Sequence, residues 1–204
     1  MPNIFKSLFS FFSLTSFNLR LLIRFLCSII LSLGFYNQAI AGTYKADALI
    51  HFNGTSTLHD FEGRVVVPSF EVILEGGDDQ SKFISSKVKI DTLSITTDHA
   101  SRDKKMWQML DIQRFQFIEG EIVKMKMPLT KEPSETKIYL RICNVGQPIV
   151  GTISNWLDSK SGFSCLLKLE ISLESFELKP PSIFGLITVG DTVSVECEIK
   201  GTLL

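Results

Sequence analysis

The sequence predicts an all-β domain of about eight antiparallel strands with one short helix. Two long runs of alternating polarity and one isolated helical stretch carry that prediction. In residues 163–174, Phe163, Cys165, Leu167, Leu169, Ile171 and Leu173 fall on one face. Ser164, Lys168, Glu170, Ser172 and Glu174 take the other, with Leu166 the one exception. Successive side chains of a strand point to opposite faces, so a period of two marks a half-buried strand. Residues 192–200 repeat the pattern, with Val193, Val195, Cys197 and Ile199 opposite Thr192, Ser194, Glu196, Glu198 and Lys200. The helical stretch is 101–110, where Met106, Met109 and Leu110 have the spacing of one apolar face and Ser101 or Asp98 is the expected N-cap.

The remaining strands are shorter or bent. Residues 45–52 open the sheet, and 57–74 read as one long strand in which Pro68 marks an edge or bulge. Strands at 83–95 and 115–127 follow, the first preceded by a turn at 76–80 and the second followed by a loop at 131–134. A hairpin joins 136–143 to 148–156 across Asn144-Val145-Gly146-Gln147, and Pro180-Pro181 with Gly190-Asp191 punctuate the last connection. Eight such strands can close as a barrel or stack as a sandwich, and periodicity does not choose between them.

The first 41 residues differ in kind. They hold Lys6, Arg20 and Arg24, no acidic residue, an apolar run over 25–35, and then Ala39-Ile40-Ala41. Basic, apolar and small-x-small, in that order, predict a secretory signal peptide cut after Ala41. A membrane-spanning helix would need roughly 20 uninterrupted apolar residues, and Arg20 and Arg24 break any backward extension. Cys27 follows Phe25-Leu26 rather than small residues, which argues against lipoprotein processing. The expected mature domain, 42–204, carries 18 basic and all 22 acidic residues, a formal charge of −4. Scattered charges of that balance give no footprint for nucleic acid.

Chemistry-bearing motifs are sparse. His51, His59 and His99 show no metal-ligand spacing, no Cys-x-x-Cys occurs, and no nucleophile elbow is present. Neither an enzyme nor a metal or cofactor protein is expected. Cys165 and Cys197, both on apolar strand faces, read equally as two buried thiols or a cross-strand disulfide, with Cys143 left over.

Two segments carry more information than the rest: Thr55-Ser56-Thr57-Leu58-His59-Asp60-Phe61-Glu62-Gly63-Arg64, and Arg102-Asp103-Lys104-Lys105-Met106-Trp107-Gln108-Met109-Leu110. In this order, with Ser94-Ile95-Thr96-Thr97, Phe176-Glu177-Leu178 and Val189-Gly190-Asp191-Thr192-Val193, they resemble the YceI-like family of secreted bacterial proteins over 44–204. Gln116 departs from that pattern, which commonly has proline there. The resemblance implies an eight-stranded lipocalin-like barrel, a periplasmic or secreted location, and an apolar ligand: a polyisoprenoid, isoprenoid-quinone or other long lipid.

On that implication, His59 is the candidate for orienting a polar head group, since a strand here puts His59, Phe61, Val65 and Val67 on one face. A structural histidine bonded to backbone or to a neighbouring acid is the alternative. Met106, Trp107, Met109 and Leu110 are expected to cap the barrel against the tail, or to plug it as ordinary core. Phe117, Leu167, Leu169, Ile171 and Val195 complete the expected ligand-binding set. Met125 and Met127 read as core. A second functional class stands beside the lipid binder: an envelope interaction module whose barrel is filled and holds nothing. Either reading allows transient contact with the membrane or envelope proteins, and the oligomeric state stays open, a dimer included.

Overall fold

A computed structural model of the chain describes residues 42–76, 82–127, 132–159, 161–183 and 187–204. The expected leader and its cleavage point, most of the turn at 76–80, and Lys131 lie outside the described residues. The described strands are β1 (Gly42–Ser56), β2 (Phe61–Gly76), β3 (Lys82–Asp91), β4 (Phe117–Lys126), β5 (Ser134–Ile142), β6 (Val145–Ser159), β7 (Gly162–Ser172), β8 (Ser182–Ile183) and β9 (Ile187–Leu203). One helix, α1 (Ala100–Met109), stands between β3 and β4.

Each strand runs antiparallel to its neighbours in the order β1 to β7 and then β9, and β9 pairs back onto β1. That closing ladder runs from Tyr44↔Leu203 to Ser56↔Val189. The short β8 pairs only with β9. The fold is therefore an eight-stranded closed barrel with one helix, and the sandwich is excluded because closure leaves no sheet edge.

Local sequence explains where the strands bend. Ala46 faces Phe70 and Ala48 faces Val67, so Pro68 and Ser69 together oppose the single residue Asp47. This is the bulge that Pro68 announced, and Ser69 takes a left-handed φ of 49° in it. The extra residue resets parity: Val65 and Val67 before the bulge, and Val72 and Leu74 after it, all point inward and are buried. Past the bulge β2 pairs with β3 over Glu71–Gly76, and before it the two strands part. In that earlier part of β2, Thr96 bridges to Arg64 through two backbone hydrogen bonds, of 2.8 and 3.0 Å.

Several expected boundaries shift. The predicted strand at 57–74 loses its first four residues to a turn. A hydroxyl causes this, because Ser56 Oγ accepts from the Leu58 and His59 amides and donates to the His59 carbonyl, ending β1. The β5–β6 hairpin turns on Cys143-Asn144 rather than on 144–147, with Ile142 paired to Val145 and Cys143 at φ 52°. Gly190-Asp191 lies within β9 and makes no turn. Asp191 instead accepts the Leu173 and Glu174 amides, through its carbonyl and its Oδ1 respectively, which stops β7. Helix α1 starts one residue early, with His99 at the N-cap position and no side-chain cap bond.

Two hydrophobic clusters divide the interior. One end is packed by Tyr44, Val72, Leu74, Ile84, Met127, Ile153, Phe163 and Cys165. The other is bounded by Val65, Ile95, Leu110, Leu140, Ile142, Leu173, Phe176 and Leu178.

Candidate functional site

Between the second cluster and a floor of Ile138, Leu167 and Cys197 lies a cavity of about 530 Å³. Its walls are nearly all aliphatic: Ile50, Val88, Ile90, Ile118, Leu169, Ile171, Val193 and Val195 come from five of the eight long strands. Apart from buried Thr97, whose hydroxyl is taken by Asp103, polar residues occur where the cavity meets solvent, on the β1–β2 turn and on the first half of α1. Ser56, His59, Asp60, His99, Ser101, Arg102 and Lys105 form that mouth, beside the exposed Leu58.

The helix presents one face to the cavity, and its residues are spaced as a helix requires. Arg102, Lys105, Met106 and Met109 all line it, with charge on the N-terminal turn and thioethers further along. A second face holds the helix in place. Buried Asp103 accepts from Thr96 Oγ1 at 2.7 Å, from the Thr97 amide at 2.7 Å and from the Thr97 hydroxyl. Burial pushes this carboxyl up, but the Thr97 and Thr96 hydrogen bonds and the Arg102 charge outweigh that and hold it below the usual carboxylate range. Trp107, one turn on, donates from Nε1 to the Ile95 carbonyl at 3.1 Å. Thr96 is bridged to Arg64 of β2, and Arg64 also pairs with Asp98 at 3.1 Å. The cavity-facing helix is thus latched to the barrel wall.

Two aromatic rings flank the mouth without blocking it. Phe52 on β1 pairs across to Gly63 on β2, and Phe61 on β2 pairs across to Gly54 on β1. A Cβ on Gly63 would stand 2.2 Å from Phe52 Cζ and 2.6 Å from the Thr96 carbonyl oxygen. One on Gly54 would stand 2.5 Å from Phe61 Cζ. Each ring therefore lies over the backbone of the facing strand, where only glycine leaves room.

Of the expected binding set, His59, Phe61, Met106, Met109, Leu110, Leu167, Leu169, Ile171 and Val195 line the cavity. His59 does so from the turn rather than from a strand interior: it is exposed at the mouth, not set among apolar neighbours. Trp107 does not line the cavity, because it lies on the latching face of the helix. Phe117 is also displaced: the inward positions of β4 are Ile118 and Gly120, one residue out of phase, and Phe117 is 48% exposed with Lys89 Nζ 5.8 Å from its ring centroid. Met125 and Met127 belong to the filled end, as core.

The sequence reading passed over Ile50, Phe52, Val65, Arg102 and Lys105. The two Phe-x-Gly tripeptides, 52–54 and 61–63, were the available signal for Phe52, since an antiparallel turn between them sets each ring opposite a glycine. The three described cysteines, Cys143, Cys165 and Cys197, are thiols. Cys165 pairs with Ile199 and Cys197 with Leu167, so the two sulfurs are diagonal rather than opposite, too far apart in register for an unstrained bridge. Burial pushes both thiols up to about 12.

Comparison with known proteins places the chain. No curated protein matches it. Among solved structures, a polyisoprenoid binding domain from Saccharophagus degradans, implicated in plant cell wall breakdown, superposes with a TM-score of 0.55 at 12% identity, over 79% of this chain and 98% of that one. BcnA of Burkholderia cenocepacia superposes with a TM-score of 0.60 at 11% identity, over 75% of this chain and 95% of that one. At such identities the likeness is one of fold. The YceI-like domain model matches residues 42–201, so the barrel, its latched helix and the cavity they enclose belong to a chain of the YceI-like family.

Proposed function

We propose that this protein is an exported carrier that holds one long apolar lipid, a polyisoprenoid or the tail of an isoprenoid quinone, inside the barrel. The observation that carries the reading is the 530 Å³ cavity, walled by aliphatic side chains and with its charged residues at the mouth. Its volume falls in the range of roughly 300–1,000 Å³ typical of small-ligand sites. A tail that buries about 400 Å² of apolar surface there gains on the order of 10 kcal/mol before the costs of association. The fold's likeness to a polyisoprenoid binding domain supports the same class of ligand. Export rests on the basic, apolar and small-x-small order of the first 41 residues.

The test is mass spectrometry of an organic extract of protein purified from its native envelope. A polyprenyl, quinone or acyl species near one per protein is the expected result. A blank, repeated after incubation with polyprenol and ubiquinone, would leave the interaction module as the better reading. N-terminal sequencing of the same preparation checks export, with Gly42 as the expected first residue.

A further inference from the structure

We propose that the mouth selects tails ending in an anionic group, a carboxylate or a phosphate monoester, and that Arg102 and Lys105 hold that group. The inference rests on the cavity being a lipid site and adds the chemistry of the head.

Three observations carry it. Arg102 and Lys105 are one helical turn apart on the helix face that lines the cavity, and both are half-buried. Met106 and Met109 continue the same face, so a ligand lying along α1 meets two cations at one end and apolar thioethers at the other. That polarity matches an amphiphile. Secondly, among the described residues Arg64, Lys87, Lys89, Arg114, Arg141 and Lys168 make ion pairs, and no described carboxylate lies within 4 Å of the Arg102 or Lys105 charge. The Arg102 charge is felt by Asp103, whose oxygens are already taken by Thr96 and Thr97. Thirdly, the sign is local. The domain from 42 onward is acidic, with a formal charge of −4, yet the charged residues lining the cavity are these two cations and Asp60.

A half-buried cation without a partner has lost hydration and gains most from a ligand anion. The guanidinium fork suits two oxygens of a carboxylate or phosphate, and the ammonium adds a point charge beside it. Ser101 Oγ and His99 Nδ1, 3.1 Å apart on the same lip, add polar groups around the head.

The experiment compares acid and alcohol of one tail by displacement of a fluorescent apolar probe from the full mature domain. Palmitate is set against hexadecanol, and farnesyl monophosphate against farnesol. In the native protein the anionic member of at least one pair should bind about tenfold tighter than its alcohol, one charge-assisted contact being of that order. Whichever pair shows the larger ratio identifies carboxylate or phosphate as the source. The R102Q/K105Q variant should bring that ratio to about one, the acids losing more affinity than the alcohols. Lys105→Gln alone, which leaves the Asp103 latch and its Arg102 neighbour intact, should remove part of the ratio, and exposed Lys104→Gln none. Acid and alcohol binding equally in the native protein, or a ratio unchanged in the double variant, would overturn the proposal and leave the lipid site standing. Loss of binding for all four compounds would sink the lipid site and this inference together.

Discussion

The two ends of the barrel are built from the same eight strands, yet one is full and the other hollow. At the full end Trp156 stacks on Phe163 with centroids 5.0 Å apart and planes 5° from parallel, while Tyr44 meets Phe163 edge-on at 5.4 Å. With Val72, Leu74, Ile84 and Met127 these rings leave a residual void of only about 10 Å³, against about 530 Å³ at the other end. At the hollow end the strands point Ile, Leu and Val inward, and its two rings lie back over glycines. Alternation is equally clean at both ends, so it fixes which side chains face in. What fills the bore is side-chain volume, counted across strands far apart in sequence.

The comparison can be broken most sharply by a charge. Leu169→Asp sets a carboxylate in the aliphatic wall with no partner, and should cost several kcal/mol or prevent folding, with lipid uptake lost. Urea unfolding and lipid extraction measure both; native stability with full uptake would show that this face is not the cavity wall. Next is Phe163→Ala, which opens the full end and should cost about 3–5 kcal/mol by denaturant midpoint. A soluble, folded F163A should still take up lipid, because its loss is at the other end.

Val195→Phe makes the reverse change, adding bulk where there is room. Lipid uptake should fall at least tenfold while stability stays within about 1 kcal/mol, since the ring fills space rather than displacing neighbours. Asp103→Asn loosens the latch and should cost about 2 kcal/mol, two or more charge-assisted bonds being weakened. The Asp103 carboxyl is held below its unfolded value, so its contribution is complete above about pH 4 and is lost as pH falls through the folded value. Stability of D103N should therefore depend less on pH below about 4 than that of the native protein. The smallest effect concerns Cys165 and Cys197: with thiols pushed up to about 12, neither should react with a disulfide reagent at pH 8 until the barrel is unfolded.

Much of this was legible from alternation alone. β7 and β9 read off directly, with Phe163, Cys165, Leu167, Leu169 and Ile171 all inward as expected. Pro68 located the bulge, though not that the bulge would let Val67 and Val72, of opposite parity, both face in. Phe117 failed for the complementary reason: one residue of phase reverses a side chain, and β4, Phe-Ile-Glu-Gly-Glu-Ile-Val-Lys-Met-Lys, alternates too poorly to set the phase. Trp107 failed because a ten-residue helix has two useful faces here, and which one meets the cavity depends on Asp103 finding Thr96 and Thr97. Arg102 and Lys105 were absent from the expected binding set, because nothing local says that a helix face carrying two cations is turned toward an apolar bore.

The paired Phe-x-Gly motifs carry a consequence for how this protein can change. Each ring occupies the volume that a side chain on the opposing strand would need, so neither partner can vary alone: Gly63→Ala collides with Phe52, and Gly54→Ala with Phe61. Substitutions at 54 and 61 should be strongly epistatic, harmful singly and tolerated in a compensating pair such as a smaller residue at 61 with alanine at 54; at 63 the Thr96 carbonyl oxygen also stands in the way, so a smaller residue at 52 should not rescue alanine there. The aperture of the barrel is in that sense an inherited unit, its width set by two residues that contribute no side chain.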